Sequence, residues 1–109
     1  MTTFDDRERA FESQYARDQE MQFKVIARRN RLLGQWAAKK MGLSEAEADA
    51  YARDVIRADF EEAGDEDVIR KLIGDLISAG VEVSDSEIRQ QLEHKTVEAR
   101  RHFIEAAGS

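Results

Sequence analysis

Between Phe23 and Ser44 the apolar residues Val25, Ile26, Leu32, Leu33, Trp36 and Ala37 return at steps of three and four, the spacing that gathers side chains on one side of an α-helix. The stretch reads as a central helix around which the rest of the chain must pack. It is also the one basic region of an acidic chain. From Met21 to Ser44 there is no acid, while Lys24, Arg28, Arg29, Arg31, Lys39 and Lys40 supply six positive charges in a chain of net charge -6. Glu45 to Asp67 then holds ten acids against Arg53 and Arg57. Neighbouring helices of opposite sign attract, so surface pairing within the fold accounts for both runs, each exposed pair contributing at most about 1 kcal/mol.

With 109 residues there is room for one modest core, and no Gly-, Ser- or Pro-rich linker divides the chain. The absence of cysteine excludes a disulfide framework and a thiolate metal site. No apolar run approaches membrane-spanning length, and no basic-then-apolar leader opens the sequence, so a cytoplasmic protein without direct membrane insertion is expected. Charged residues make up 37% and aromatics 7%, with no proline, a balance that favours an all-α fold.

The central helix is expected to end near Met41, with Gly42 beyond it and Lys39 and Lys40 at the negative end of its dipole. Ser44 to Glu47 fits a capping box and starts a second helix, whose buried side is Ala48, Ala52, Val55, Ile56, Phe60 and Ala63. Its small residues allow close approach to the central helix. Ala63-Gly64-Asp65 closes that helix and caps a third, where Val68, Ile69, Leu72, Ile73, Leu76 and Ile77 form the densest apolar pattern and predict the most buried helix. Gly80 ends it, Val81 to Val83 makes an extended link, and Ser84 to Glu87 is a second capping box. The last helix turns Ile88, Leu92, Ala99 and Phe103 inward and frays from Ala106 to Ser109. The expected architecture is a four-helix bundle over residues 21–109, with a flexible N-terminal arm of helical potential over residues 1–20.

That arm has Phe4, Phe11 and Tyr15 as its large apolar side chains among many charges. At about 100° per residue these three share a narrow stripe, and the count runs on through Gln22, Ile26 and Leu33, so arm and central helix form one rod with a soft joint at Asp18, Gln19 and Gln22. A helix of this length is marginal alone in water and is expected to be frayed or transient. Two readings stay open. The arm folds back to patch the bundle, or it is a helix-in-groove ligand that orders when a partner accepts it.

His94, Glu98 and His102 fall at steps of four on the last helix, a spacing a divalent metal accepts, but no third strong ligand is apparent from elsewhere and surface decoration is the plainer reading. There is no phosphate-binding glycine loop and no nucleophile, base and orienter set, so no enzyme is expected and no cofactor is required. Arg28, Arg29 and Arg31 are the candidate anion-binding residues, which leaves weak nucleotide binding open. Nucleic acid is disfavoured by the overall negative charge and the lack of interleaved aromatics.

Thr3 to Glu12 (TFDDRERAFE), Phe23 to Asn30 (FKVIARRN) with Leu32-Leu33-Gly34 and Trp36-Ala37-Ala38, and Ala58 to Asp67 (ADFEEAGDED) resemble the zeta subunit, the inhibitor of the F-type ATP synthase of alphaproteobacteria. The resemblance spans nearly the whole chain and is weakest after Ser84. It implies a four-helix protein, monomeric when free, whose N-terminal segment enters a catalytic interface between alpha and beta subunits near gamma and stops rotation in the hydrolysis direction. It further implies a location peripheral to the inner membrane, with Phe4, Asp5, Asp6, Arg7, Arg9, Phe11 and Tyr15 as partner-binding residues. A rival reading is a small helical adaptor or nucleic-acid-associated regulator that uses the basic central helix.

Overall fold

The structure, a computed structural model, describes residues 4–61 and 64–107, except for the side chains of Phe4, Phe60, Glu61 and Ala107. The described residues form five α-helices and no strand: α1 (Phe4–Tyr15), α2 (Gln19–Lys40), α3 (Glu45–Glu61), α4 (Glu66–Ser78) and α5 (Asp85–Ala107). The chain is thus all-α, with α1 supplied by the arm and α2 in contact with each of the other helices.

The soft joint expected at Asp18, Gln19 and Gln22 is a full break at Asp18, so arm and central helix are two helices rather than one rod. Asp18 adopts an extended backbone, and its Oδ1 accepts hydrogen bonds from the N–H groups of Glu20 (3.0 Å) and Met21 (3.2 Å). This N-cap satisfies two of the amides that a helix start leaves unpaired, so α2 begins at Gln19 rather than beyond residue 20. Helix α1 is closed by side chains instead of glycine: Arg17 Nε donates to the Ser13 carbonyl (3.2 Å) and Gln22 Nε2 to that of Tyr15 (2.7 Å). At its start Asp5 and Asp6 lie at the positive end of the dipole.

The remaining boundaries follow ordinary capping chemistry. Beyond α2, Gly42 takes a φ of 74°, its N–H donates to Lys39 O (3.1 Å), and that of Leu43 donates to Ala38 O (3.0 Å). The same pair of bonds recurs after α4, from Gly80 to Ile77 O and from Val81 to Leu76 O. Both are Schellman stops, and the left-handed residue is glycine in each because a Cβ would be strained there. Ser44 and Glu47 exchange the two bonds of a capping box at 3.2 and 3.0 Å, which holds the Glu47 carboxyl below its usual range. Ser84 Oγ accepts from Glu87 N–H at 3.1 Å.

The larger core joins Leu33 and Ala37 of α2, Val55 of α3, Val68, Ile69, Leu72 and Leu76 of α4, and Ile88 of α5. Helix α4 contributes half of these residues, which fits its expected place, but Ile77 is 58% exposed. Ile77 lies about 100° round the helix from Leu76, which takes it off the inward stripe. Helices α2 and α3 touch at Gly34, where an added Cβ would stand 2.6 Å from Ala52 Cα, so the approach of small residues extends to direct backbone contact. Of the residues expected on the buried side of α3, Ala52 and Val55 are buried and Ala48 and Ile56 half-buried, while Ala63 and the side chain of Phe60 lie outside the described residues. Tyr51 of α3 donates its hydroxyl to Asp75 Oδ2 of α4 (2.7 Å), which also accepts from Lys71 Nζ (3.0 Å), and burial pushes the Tyr51 phenol above its ordinary pKa.

A smaller core lies at the other end of α2. It consists of Phe11, Val25, Ala99 and Ile104, with Tyr15, Met21, Leu32 and Phe103 packed against it.

Candidate interaction site

Helix α1 lies against α2 and α5, and the partner-binding candidates whose side chains are described divide across its two sides. Phe11 is 4% exposed, Arg7 and Tyr15 are half-buried, and Asp5, Asp6 and Arg9 face solvent. The side chain of Phe4 lies outside the described residues. Arg7, Phe11 and Tyr15 recur at steps of four, so one stripe of the arm is turned toward its own protein. The Phe11 and Tyr15 rings stack, with centroids 5.9 Å apart and planes at 24°. They form an i, i+4 aromatic pair, which stabilises a short helix as well as filling the small core.

Arg100 of α5 closes this contact from outside. Its guanidinium carbon stands 5.0 Å from the Tyr15 ring centroid, and Nη1 lies 3.8 Å from Glu12 Oε1. Of the α5 residues that receive the arm, one lies off the stripe that the sequence predicts. Ala99 and Phe103 belong to the expected inward stripe of α5, whereas Ile104 is about 140° round the helix from Ala99 and is nonetheless 3% exposed. A second buried side on α5 has no counterpart in a four-helix stripe count; Ile104 following Phe103 was its one visible trace.

The basic run of α2 resolves into unlike environments. Arg29 is 5% exposed and lies beside Asn30, itself 1% exposed. Arg29 Nε and Nη2 donate to Asn30 Oδ1 at 3.1 and 2.9 Å, and Nη2 is 2.9 Å from Asp65 Oδ1 and 4.0 Å from Asp59 Oδ1. This is opposite-sign pairing between helices, but at the edge of the core rather than on the surface. Asp65 stands at the N-cap of α4 without making a side-chain cap bond, because its carboxylate is turned to Arg29. Burial holds the Asp59 carboxyl above the usual aspartate range, against the attraction of Arg29. Arg31 is exposed beside a cleft of about 170 Å³ lined also by Asp49, Ala52, Arg53 and Ile56. Arg28 is half-buried, with its Nε lacking a hydrogen-bond partner among the described residues. The three arginines therefore do not share one environment. Lys24 pairs within α2 with Glu20 (3.5 Å), and Lys40 reaches Glu87 of α5 (3.7 Å).

His94, Glu98 and His102 are all exposed on α5, and no group of three or more metal-ligating side chains assembles among the described residues. No helix among the described residues is long and apolar enough to cross a membrane.

Fold and contacts define a small all-helical protein whose first helix is seated on a separate minor core. Compared with known proteins, the chain matches the model of the ATPase inhibitor subunit zeta family over residues 1–102, and it belongs to that family. A structure solved by solution NMR superposes with a TM-score of 0.70 at 45% identity, covering 79% of this chain and 98% of the other. No curated protein matches.

Proposed function

We propose that this protein inhibits ATP hydrolysis by the F-type ATP synthase by placing the α1 arm in a catalytic interface between alpha and beta subunits, near gamma, and so stopping rotation in the hydrolysis direction. Membership of the zeta inhibitor family carries the proposal. The arm supports it physically: a short amphipathic helix with its rings at helical spacing, joined to the rest of the protein by a three-residue turn, is the form of a helix-in-groove ligand. Phe4, Phe11 and Tyr15 are the anchors, with Asp5, Asp6, Arg7 and Arg9 setting orientation. Residues 21–109 act as the unit that docks outside and limits insertion. The free protein is a monomer, requires no cofactor, and is peripheral to the inner membrane through the synthase.

The rival reading, a regulator using the basic face of α2, is weakened by the arrangement of that face, since Arg29 is buried against Asp59 and Asp65. The test is ATP hydrolysis by the cognate ATPase sector with and without this protein. Inhibition that saturates with added protein is expected. Unchanged hydrolysis, together with salt-dependent retention on nucleic acid, would transfer the function to the rival.

A further inference from the structure

The ring that serves as central anchor is not available in the free chain. Phe11 is 4% exposed in the minor core with Val25, Ala99 and Ile104, and Arg100 covers the neighbouring Tyr15 at 5.0 Å while meeting Glu12 at 3.8 Å. A side chain in that position cannot enter a groove on another protein, so insertion requires α1 to leave α5. The hinge for such a movement is built in. The turn at Ala16 to Asp18 separates the two helices, the N-cap bonds of Asp18 start α2 without using any atom of α1, and the bond from Gln22 Nε2 to the Tyr15 carbonyl bridges the turn itself rather than the contact with α5. The larger core contains no α1 residue, so undocking leaves it whole.

We infer that α5 holds the inhibitory arm in an autoinhibited position, with Arg100 and Ile104 as the latch, so that the free protein is a reservoir whose potency is set by the fraction of chains with α1 undocked. The inference rests on the arm-insertion reading and adds its regulation. When only one conformation is competent to bind, apparent affinity falls by the populated fraction of that conformation. Loosening the latch then strengthens inhibition, which is the reverse of what loss of a binding residue does. The same latch makes the ring at Phe11 count less than its size suggests, because it passes from one buried site to another rather than from water.

Two full-length variants test this, with two readouts each. Arg100→Ala removes the cover on Tyr15 and the partner of Glu12 while leaving every arm residue in place. Amide hydrogen exchange in residues 5–15 should quicken, and the concentration giving half inhibition of ATP hydrolysis should fall several-fold, up to about tenfold. Ile104→Ala should act in the same direction, with circular dichroism checking that the helices persist. Because the chain has no cysteine, Glu12→Cys with Arg100→Cys can be joined by a short, reducible bis-maleimide linker without side reactions. The joined form should lose at least tenfold in inhibition and regain it on reduction.

Faster exchange in Arg100→Ala with unchanged or weaker inhibition would overturn the latch, and so would unchanged exchange in both Arg100→Ala and Ile104→Ala. If the joined form inhibits as well as the reduced one, the arm-insertion reading itself falls. If joining abolishes inhibition while Arg100→Ala and Ile104→Ala leave it unaltered, insertion stands and the latch does not.

Discussion

Gly34 and Gly74 both lie inside helices, and the structure assigns opposite signs to the same substitution at the two sites. At Gly34 a methyl group would stand 2.6 Å from Ala52 Cα, 3.2 Å from Ala52 Cβ and 3.3 Å from Ala52 N. Carbon atoms settle at about 3.5–4.0 Å, so α2 and α3 would have to part by close to 1 Å at their crossing. The atom in the way is backbone and cannot rotate aside. Overpacking of this kind costs about 1–3 kcal/mol, and the upper part of that range applies here. Replacing a helical glycine by alanine returns about 1 kcal/mol of backbone entropy, which leaves a net loss of about 1–2 kcal/mol for Gly34→Ala. At Gly74 no atom of the described residues beyond the local helix backbone lies within 4 Å of the added carbon, so only the gain of about 0.5–1 kcal/mol remains. Thermal unfolding followed by circular dichroism should place Gly34→Ala about 4–16 °C below the parent and Gly74→Ala about 2–8 °C above it. If Gly34→Ala stabilises as much as Gly74→Ala, the helices do not approach as described.

Leu72→Ala, which empties a fully buried site in the larger core, should cost about 2–5 kcal/mol by denaturant unfolding. Arg29→Met leaves Asp59 and Asp65 facing each other without their cation, and should cost about 2–4 kcal/mol, less than a fully buried pair would because Asp65 is half-exposed to screening solvent. The raised Asp59 pKa means the native state holds that proton more tightly than the unfolded chain. Stability from this group is therefore greatest at acid pH and declines as pH rises from the ordinary aspartate value through the higher native one, a slope that Asp59→Asn should remove from pH-dependent unfolding curves. Phe11→Ala weakens both arm docking and partner binding, so its loss of inhibition should fall short of the about 30- to 150-fold expected for moving a ring from water into a buried site.

The features that were legible in the sequence are those set by local chemistry. Gly42 and Gly80 stop helices because a left-handed residue is needed there, and Ser44 with Glu47 marks the helix start at Glu45. The inward residues of α4 followed from period alone, up to Ile77, where the stripe had already turned away from the core. What could not be read depends on partners distant in sequence. Asp65 has the identity and position of an N-cap, yet its carboxylate goes to Arg29, a preference visible only once α2 and the α3 to α4 turn are side by side. Arg29 looked like one charge in a solvated run, and its burial follows from meeting two acids and Asn30 together. The arm presents the same contrast: Phe11 and Tyr15 are legible as a stripe, as are Ala99 and Phe103 on the helix that receives them, whereas Ile104, which completes that seat, lies off the pattern from which α5 is recognised.

Comparing ATP hydrolysis by the isolated ATPase sector in the presence of the full chain and of a chain beginning at Asp18 tests the arm-insertion account most directly. The shortened chain keeps the N-cap of α2 and every residue of the larger core, and circular dichroism should show it still helical and cooperatively folded. The account predicts that the full chain inhibits hydrolysis and the folded, shortened chain does not. Equal inhibition by the two would place the activity in α2 to α5 and contradict it.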